Sequence, residues 1–292
     1  MKNLDYSKEH NDYLKKIKKK KNLVIIFQVS ILILFIGLWE LLASTKVIDS
    51  FFVSSPSRMI KTFVNLFTEG ELFKHIGITL YEALISFLLA CGIGLVVAIL
   101  LWWSDFVRKV LDPYLVILNS LPKIALGPLI IIWCGVGTKP IVVMAILISI
   151  IVTILSALAA FLNCEKSKIL LMQSMGATKL QIFTKLILPN ALPELISILK
   201  INVGLTWVGT IMGEYLVSKA GLGYLIVYGG TIFQLDLVMT STVILCILAG
   251  LMYFGVTPLY MGLQRNFLTV IPICIPTELR NSPKLRTKKD CL

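Results

Sequence analysis

The chain has 292 residues, of which 57% are hydrophobic and only 15% charged. A soluble domain carries about a quarter charged residues, and the apolar residues here are gathered into runs, so a water-soluble globular fold is excluded. Half of the 28 Lys and Arg lie in 1–22 and 265–292; these stretches flank apolar runs and read as cytoplasmic tails rather than as nucleic-acid-binding arms.

The start is Lys-rich and turns apolar at Leu23, as a secretory signal does. Its apolar run reaches about Ala43 with no small-residue cleavage site, so it is expected to stay as a first span over 23–43. Further spans are predicted over 79–103, within 114–137, and over 139–162, 193–214 and 238–263. Each is near the roughly 20 residues that a helix needs to cross a bilayer, and helix is the one fold that satisfies the backbone there. In the loop 44–78, Ser54-Ser55-Pro56-Ser57 opens a short helix that carries Met59, Ile60, Phe63, Leu66 and Phe67 on one side, suited to an interface. After the fifth span, Gly221-Leu222-Gly223 permits a sharp turn into a second interfacial segment. Both tails, 1–21 and 277–292, have the polar, basic composition of mobile segments.

With the N-terminus inside, twenty Lys and Arg fall in inner segments, six in outer ones, and Lys123 and Lys200 within spans. This bias puts both termini in the cytoplasm. The six cysteines stand alone with no CxxC pair, and His10 and His75 cannot build a metal site by themselves. No metal-binding or catalytic constellation is expected.

The connection between the fourth and fifth spans, 164–189, is the most informative segment. Ile169, Met172, Met175, Leu180, Phe183 and Leu186 recur at roughly helical spacing, and Lys166, Lys168, Lys179 and Lys185 supply polar surface. Gly176 interrupts the pattern and suits a bend between two short helices; Pro189 and Pro193 punctuate the return to the membrane. An amphipathic helix lying on lipid and a docking helix for a cytoplasmic partner both fit this pattern.

The same segment resembles the signature cytoplasmic loop of ABC-importer permeases of type I fold. That family's pattern is an acidic-Ala-Ala triplet, a glycine, and a closing apolar stretch with Leu-Pro. Gly176, Leu186, Leu188 and Pro189 match, whereas Leu170-Leu171-Met172 stands in place of the triplet. Leu121-Pro122-Lys123-Ile124-Ala125-Leu126-Gly127-Pro128, then Trp133-Cys134-Gly135-Val136-Gly137, resemble the nitrate/sulfonate/taurine branch. So do Asp112-Pro113, Thr79-Leu80-Tyr81-Glu82-Ala83 and the Gly221-Leu222-Gly223-Tyr224 that follows Glu214.

The resemblance implies an all-α membrane protein with six transmembrane helices, the type I permease fold and a cytoplasmic coupling helix. It implies a basic tail at 1–22, a first span and outer interfacial segment at 23–73, a permease domain at 74–264 with its coupling loop at 164–189, and a basic tail at 265–292. The chain is then half of a homodimeric pathway in the bacterial inner membrane. Two cytoplasmic ATPase subunits and an extracytoplasmic binding protein complete it, and Met172, Met175, Gly176, Ala177, Thr178, Leu180, Phe183 and Pro189 face the ATPase. ATP and Mg belong to that partner, and no G-x-x-x-x-G-K-[ST] loop occurs in this chain. Charges within spans are costly, at least ~2.5–3.5 kcal/mol near the bilayer centre on insertion scales. Lys123 and Lys200, each several residues in from the cytoplasmic end of its span, and Glu214, near an outer end, are candidates to line the pathway. The implied cargo is a small organic or inorganic anion such as sulfonate, taurine or nitrate, with a pyrimidine-type vitamin precursor also open. The rival reading is a secondary carrier driven by an ion gradient, for which deep acidic groups and broken repeated helices would be expected.

Overall fold

A computed structural model describes residues 8–45 and 54–270; the first seven residues, the stretch 46–53 and the C-terminal tail from 271, with its predicted mobility, lie outside the described residues. Every extended regular element among the described residues is helical. The chain divides into two compact units, one of Met1–Ile78 with Ala220–Leu245, the other of Thr79–Lys219 with Cys246–Leu292.

The first unit begins with α1, Lys8–Ser44. The helix starts well before residue 23, so part of the tail expected to be mobile is helical instead. No proline or glycine separates Lys8 from Leu23, and Lys and Glu are good helix formers. Most apolar side chains between Leu23 and Leu41 are exposed, as suits lipid contact. The short helix opened by Ser55-Pro56 is α2, Pro56–Thr68, capped by Ser55, whose hydroxyl accepts from the Arg58 amide at 3.4 Å. The Glu40 carboxylate accepts from the Ser57 amide at 3.1 Å and from its hydroxyl at 2.6 Å, placing negative charge at the positive end of α2. Arg58 grips Asp236 through Nε at 3.0 Å and Nη2 at 2.7 Å, and the Ser54 hydroxyl donates to the same carboxylate at 2.7 Å. The segment after Gly221 is α10, Leu222–Thr231. The Gly221 amide, at φ +125°, donates to His75 Nδ1 at 2.9 Å.

The second unit holds the rest of α3 (Glu71–Trp103), then α4 (Asp105–Ser120), α5 (Gly127–Cys134), α6 (Thr138–Leu162), α7 (Lys166–Ser174), α8 (Lys179–Ile182), α9 (Leu188–Val217) and the later part of α11 (Leu235–Val270). Five helical stretches are long and apolar enough to cross a bilayer. The predicted third span departs from a straight helix. It is replaced by α4 and a segment from Lys123 to Cys134 bent against it by 84°, so the total is six only if that pair counts as one span. Pro122 explains the break, because its ring forces Leu121 out of the helical region to ψ 136°.

Small residues bring α6 onto α9. A Cβ at Gly213 would lie 2.8 Å from Ile141 Cα, and Gly209 is pressed as closely on Ala145. Gly94 approaches Thr153 in the same way, whereas Gly92 and Gly204 face open space. A buried polar link ties three helices: Asn202 on α9 donates through Nδ2 to Thr153 Oγ1 on α6 at 2.7 Å, with Cys91 Sγ on α3 at 3.4 Å. The apolar core, including Leu101, Phe161, Ile182, Phe183 and Ile187, lies where the α6–α9 connection joins the bundle.

Candidate functional site in the connection from α6 to α9

The connection is built as two short helices around one glycine. Glu165 pairs with Lys168 at 3.2 Å at the start of α7. At its end, the Gly176 amide donates to the Gln173 carbonyl at 2.9 Å and the Ala177 amide to the Met172 carbonyl at 3.0 Å. This pair of bonds is a Schellman motif, and it needs a left-handed residue at Gly176, which has φ +78°. Nothing lies within 4 Å of a Cβ built there, so backbone conformation and not crowding selects glycine. Thr178 then opens α8 with a reciprocal capping box: its hydroxyl accepts from the Gln181 amide at 3.3 Å, and its amide donates to Gln181 Oε1 at 2.9 Å. From Phe183 to Ile187 the ladder widens into one π-turn before α9. Pro189 sits in the first turn of α9, and its ring would crowd the Lys185 carbonyl in an unbroken α-ladder.

Two faces result. Ile169, Met172, Ala177 and Leu186 pack against the core, and Ile182 and Phe183 are buried in it. Leu170, Leu171, Met175 and Leu180 are exposed, Met175 at 79%. Of the residues predicted to meet a partner, Met175, Gly176, Thr178 and Leu180 are outward, while Met172, Ala177 and Pro189 are half-buried. Phe183 corrects its expectation. It is 6% exposed and packs on Trp102 and Phe161 with ring centroids at 4.8 and 5.4 Å, so it anchors the connection to the bundle. Leu170 and Leu171 were not singled out for contact, because they merely fill the place of the family's triplet. Lys179 was missed as an anchor too: its ammonium donates to the Trp103 carbonyl and lies 5.6 Å from the Trp102 ring centroid. Trp102 and Trp103 thus hold the connection.

The predicted pathway residues separate. Lys123 sits in the 3-10 turn at the bend and donates to the Asn119 carbonyl and Oδ1 at 3.3 and 3.4 Å. Lys200 borders an open groove between α9 and α11, its ammonium 5.8 Å from the Tyr253 ring centroid. Glu214 is 1% exposed and lies beside Glu82, itself facing Thr138. It is enclosed between packed helices rather than set on an open wall, because the Gly213–Ile141 contact draws α9 onto α6.

Residues 90–268 match the family described as binding-protein-dependent transport system inner membrane component. The taurine transport system permease protein TauC of Escherichia coli (strain K12) is 26% identical over 240 residues, covering 80% of this chain and 87% of that protein. The putative aliphatic sulfonates transport permease protein SsuC of Bacillus subtilis (strain 168) is 27% identical over 216 residues, covering 74% of this chain and 78% of that one. A solved inward-facing conformation of the MetNI methionine ABC transporter aligns with a TM-score of 0.58 at 25% identity, covering 65% of this chain and 95% of its counterpart. The chain belongs to the family of binding-protein-dependent transport inner-membrane components: it is a multi-pass, non-catalytic permease subunit of an ABC importer, whose ATP is hydrolysed on a separate chain.

Proposed function

We propose that this permease works as a homodimer with both termini in the cytoplasm, gripped by two ATPase subunits at α7–Gly176–α8 and served outside by a solute-binding protein. The observation that carries the reading is the exposed apolar face of Leu170, Leu171, Met175 and Leu180 on a turn fixed by a Schellman motif and a capping box. A segment so ordered and so apolar, held to the bundle by Phe183 and Lys179, can pass a displacement to α6 and α9 as a rigid body. Mg and ATP act on the partner; this chain contributes the lever and the pathway. The family assignment sets aside the ion-gradient carrier.

The cargo we propose is a small organic anion of the sulfonate class. Relatives named for taurine and for aliphatic sulfonates support it, as do Lys123 and Lys200 within or beside spans. The test is uptake of labelled taurine and ethanesulfonate into vesicles holding the permease, its ATPase and its binding protein. Uptake that requires ATP and survives an uncoupler is expected; uptake that collapses with the ion gradient refutes the reading.

A further inference from the structure

Helix α1 overshoots the membrane it crosses. Its 37 residues extend about 55 Å, against about 30 Å of hydrocarbon. The apolar run begins at Leu23, so the surplus lies ahead of that residue as a helical stalk. Six lysines crowd residues 15–21, and no Asp or Glu occurs from Tyr13 to Trp39. Lys16, Lys19, Lys20 and Lys21 are exposed. Along the axis, Lys21 stands about 3 Å and Lys16 about 10 Å ahead of Leu23. The polar layer of a bilayer is about 5–7 Å deep on each side, so these lysines fill that layer and reach its outer edge. Lys16, Lys19 and Lys20 share one helix face, and Lys21 turns about 100° from Lys20. Among the described residues, this chain holds the helix at its other end only. Every residue from Lys19 to Leu38 is exposed, whereas Trp39, Glu40 and Leu42 are half-buried and Ala43 is buried. There Glu40 grips the start of α2 through Ser57.

We infer that the segment from Lys16 to Lys21 is a binding site for the phosphate headgroups of anionic phospholipid, and that the bound lipid is the second anchor of α1. The lysines stand at the depth where lipid phosphates stand, and the exposed apolar side chains from Leu23 onward continue the same surface into the acyl layer. A phospholipid meets both parts at once, whereas a free phosphate would meet the lysines alone. Each lysine stem can lie along the helix while its ammonium stays among the headgroups. Lys16 is the ninth residue of α1, so the amides here are bonded within the helix and side-chain charge supplies the attraction. Near an anionic leaflet each such lysine favours binding by roughly fivefold, and four act together. The site requires neither the orientation nor the cargo proposed above, only that α1 crosses the bilayer.

The test uses the full-length permease, with and without its ATPase, in vesicles of phosphatidylcholine mixed with a minority of phosphatidylglycerol. One lipid or the other carries a photoactivatable group, and cross-links mapped to residues 13–26 are corrected for lipid composition. At about 0.1 M salt, phosphatidylglycerol is expected to exceed phosphatidylcholine there by at least about tenfold; at about 1 M, where the screening length falls to about 3 Å, the excess is expected to drop below about threefold. Lys16→Gln, Lys19→Gln, Lys20→Gln and Lys21→Gln combined should lower the ratio at least about fivefold, and arginine at the same four positions should keep it. Equal labelling by the two lipids in the unaltered chain, or a ratio indifferent to salt, overturns the site. So does a ratio that the glutamine variant retains. The salt series needs no variant, so it decides the matter even where the glutamine chain inserts poorly. An excess abolished by soluble glycerol 3-phosphate overturns the lipid as occupant and assigns the lysines to free phosphates. Loss of the excess on addition of the ATPase, with cross-links to that subunit instead, overturns it in favour of a protein contact.

Discussion

Replacement of Gly176 by valine isolates the backbone requirement of the connection. The residue holds φ +78° and closes both bonds of the Schellman motif, yet a Cβ there meets no atom within 4 Å. The penalty is therefore conformational and confined to the turn. A left-handed residue with a Cβ costs about 1–2 kcal/mol, and a β-branched one sits at or above the top of that range. Since about 1.4 kcal/mol is tenfold in an equilibrium, Gly176→Ala should weaken docking of the ATPase roughly five- to thirtyfold and Gly176→Val by about thirtyfold or more. Gly176→Asn should fall nearest the unaltered chain, because asparagine tolerates the left-handed region. The assay is titration of the purified ATPase subunit onto the permease in nanodiscs, with insertion checked by yield. The order Gly, Asn, Ala, Val is expected. Equal affinity for valine and glycine, with intact uptake, would refute the argument that this turn is what the ATPase holds.

Other expectations follow from the packing. Asn202→Leu should lower the stability of the permease in detergent by about 1 kcal/mol, since interhelical hydrogen bonds in membranes are worth about 0.6–1.7 kcal/mol and Thr153 would lose its 2.7 Å donor; thermal unfolding reads this. Lys179→Ala should loosen the α8 end without unfolding the bundle, seen as faster proteolysis between α7 and α9 at unchanged melting temperature. A double-mutant cycle on Arg58 and Asp236, whose side chains are 49% and 24% exposed, should give a coupling of about 0.2–1 kcal/mol, small because solvent screens the pair. Burial pushes the Cys164 thiol above its ordinary range, which disfavours the thiolate. Maleimide should therefore label Cys164 slowly at neutral pH and faster only as pH climbs past the usual thiol range, whereas a Met175→Cys variant should react promptly.

Local signals in the sequence were reliable where one residue type decides one geometry. Ser55 before Pro56 placed the start of α2, and Gly176 placed the bend between α7 and α8. Hydropathy located the cores of the long helices but not their ends, since α1 runs back to Lys8 through a segment whose charge says nothing against helix. The bend at Leu121–Pro122 was hidden because window hydropathy does not register proline geometry, though the dipeptide itself carried the signal. Phe183 and Met175 look alike as apolar members of one pattern, and only tertiary packing turns the first inward and the second outward. Glu214 shows the same limit: its burial beside Glu82 depends on glycines of α9 meeting α6, a contact between segments far apart in sequence. Lys179 on Trp103 is likewise a long-range pairing with no local mark.

The grip on the connection is tested most directly by site-specific cross-linking from position 175 in cells during active import. With a cysteine there and a short bifunctional reagent, the account predicts one dominant product, joining the permease to its nucleotide-hydrolysing subunit, whose yield changes with ATP turnover. Labelling of that cysteine by an impermeant reagent from outside the cell, or import proceeding with no such product at any stage of the cycle, would contradict it.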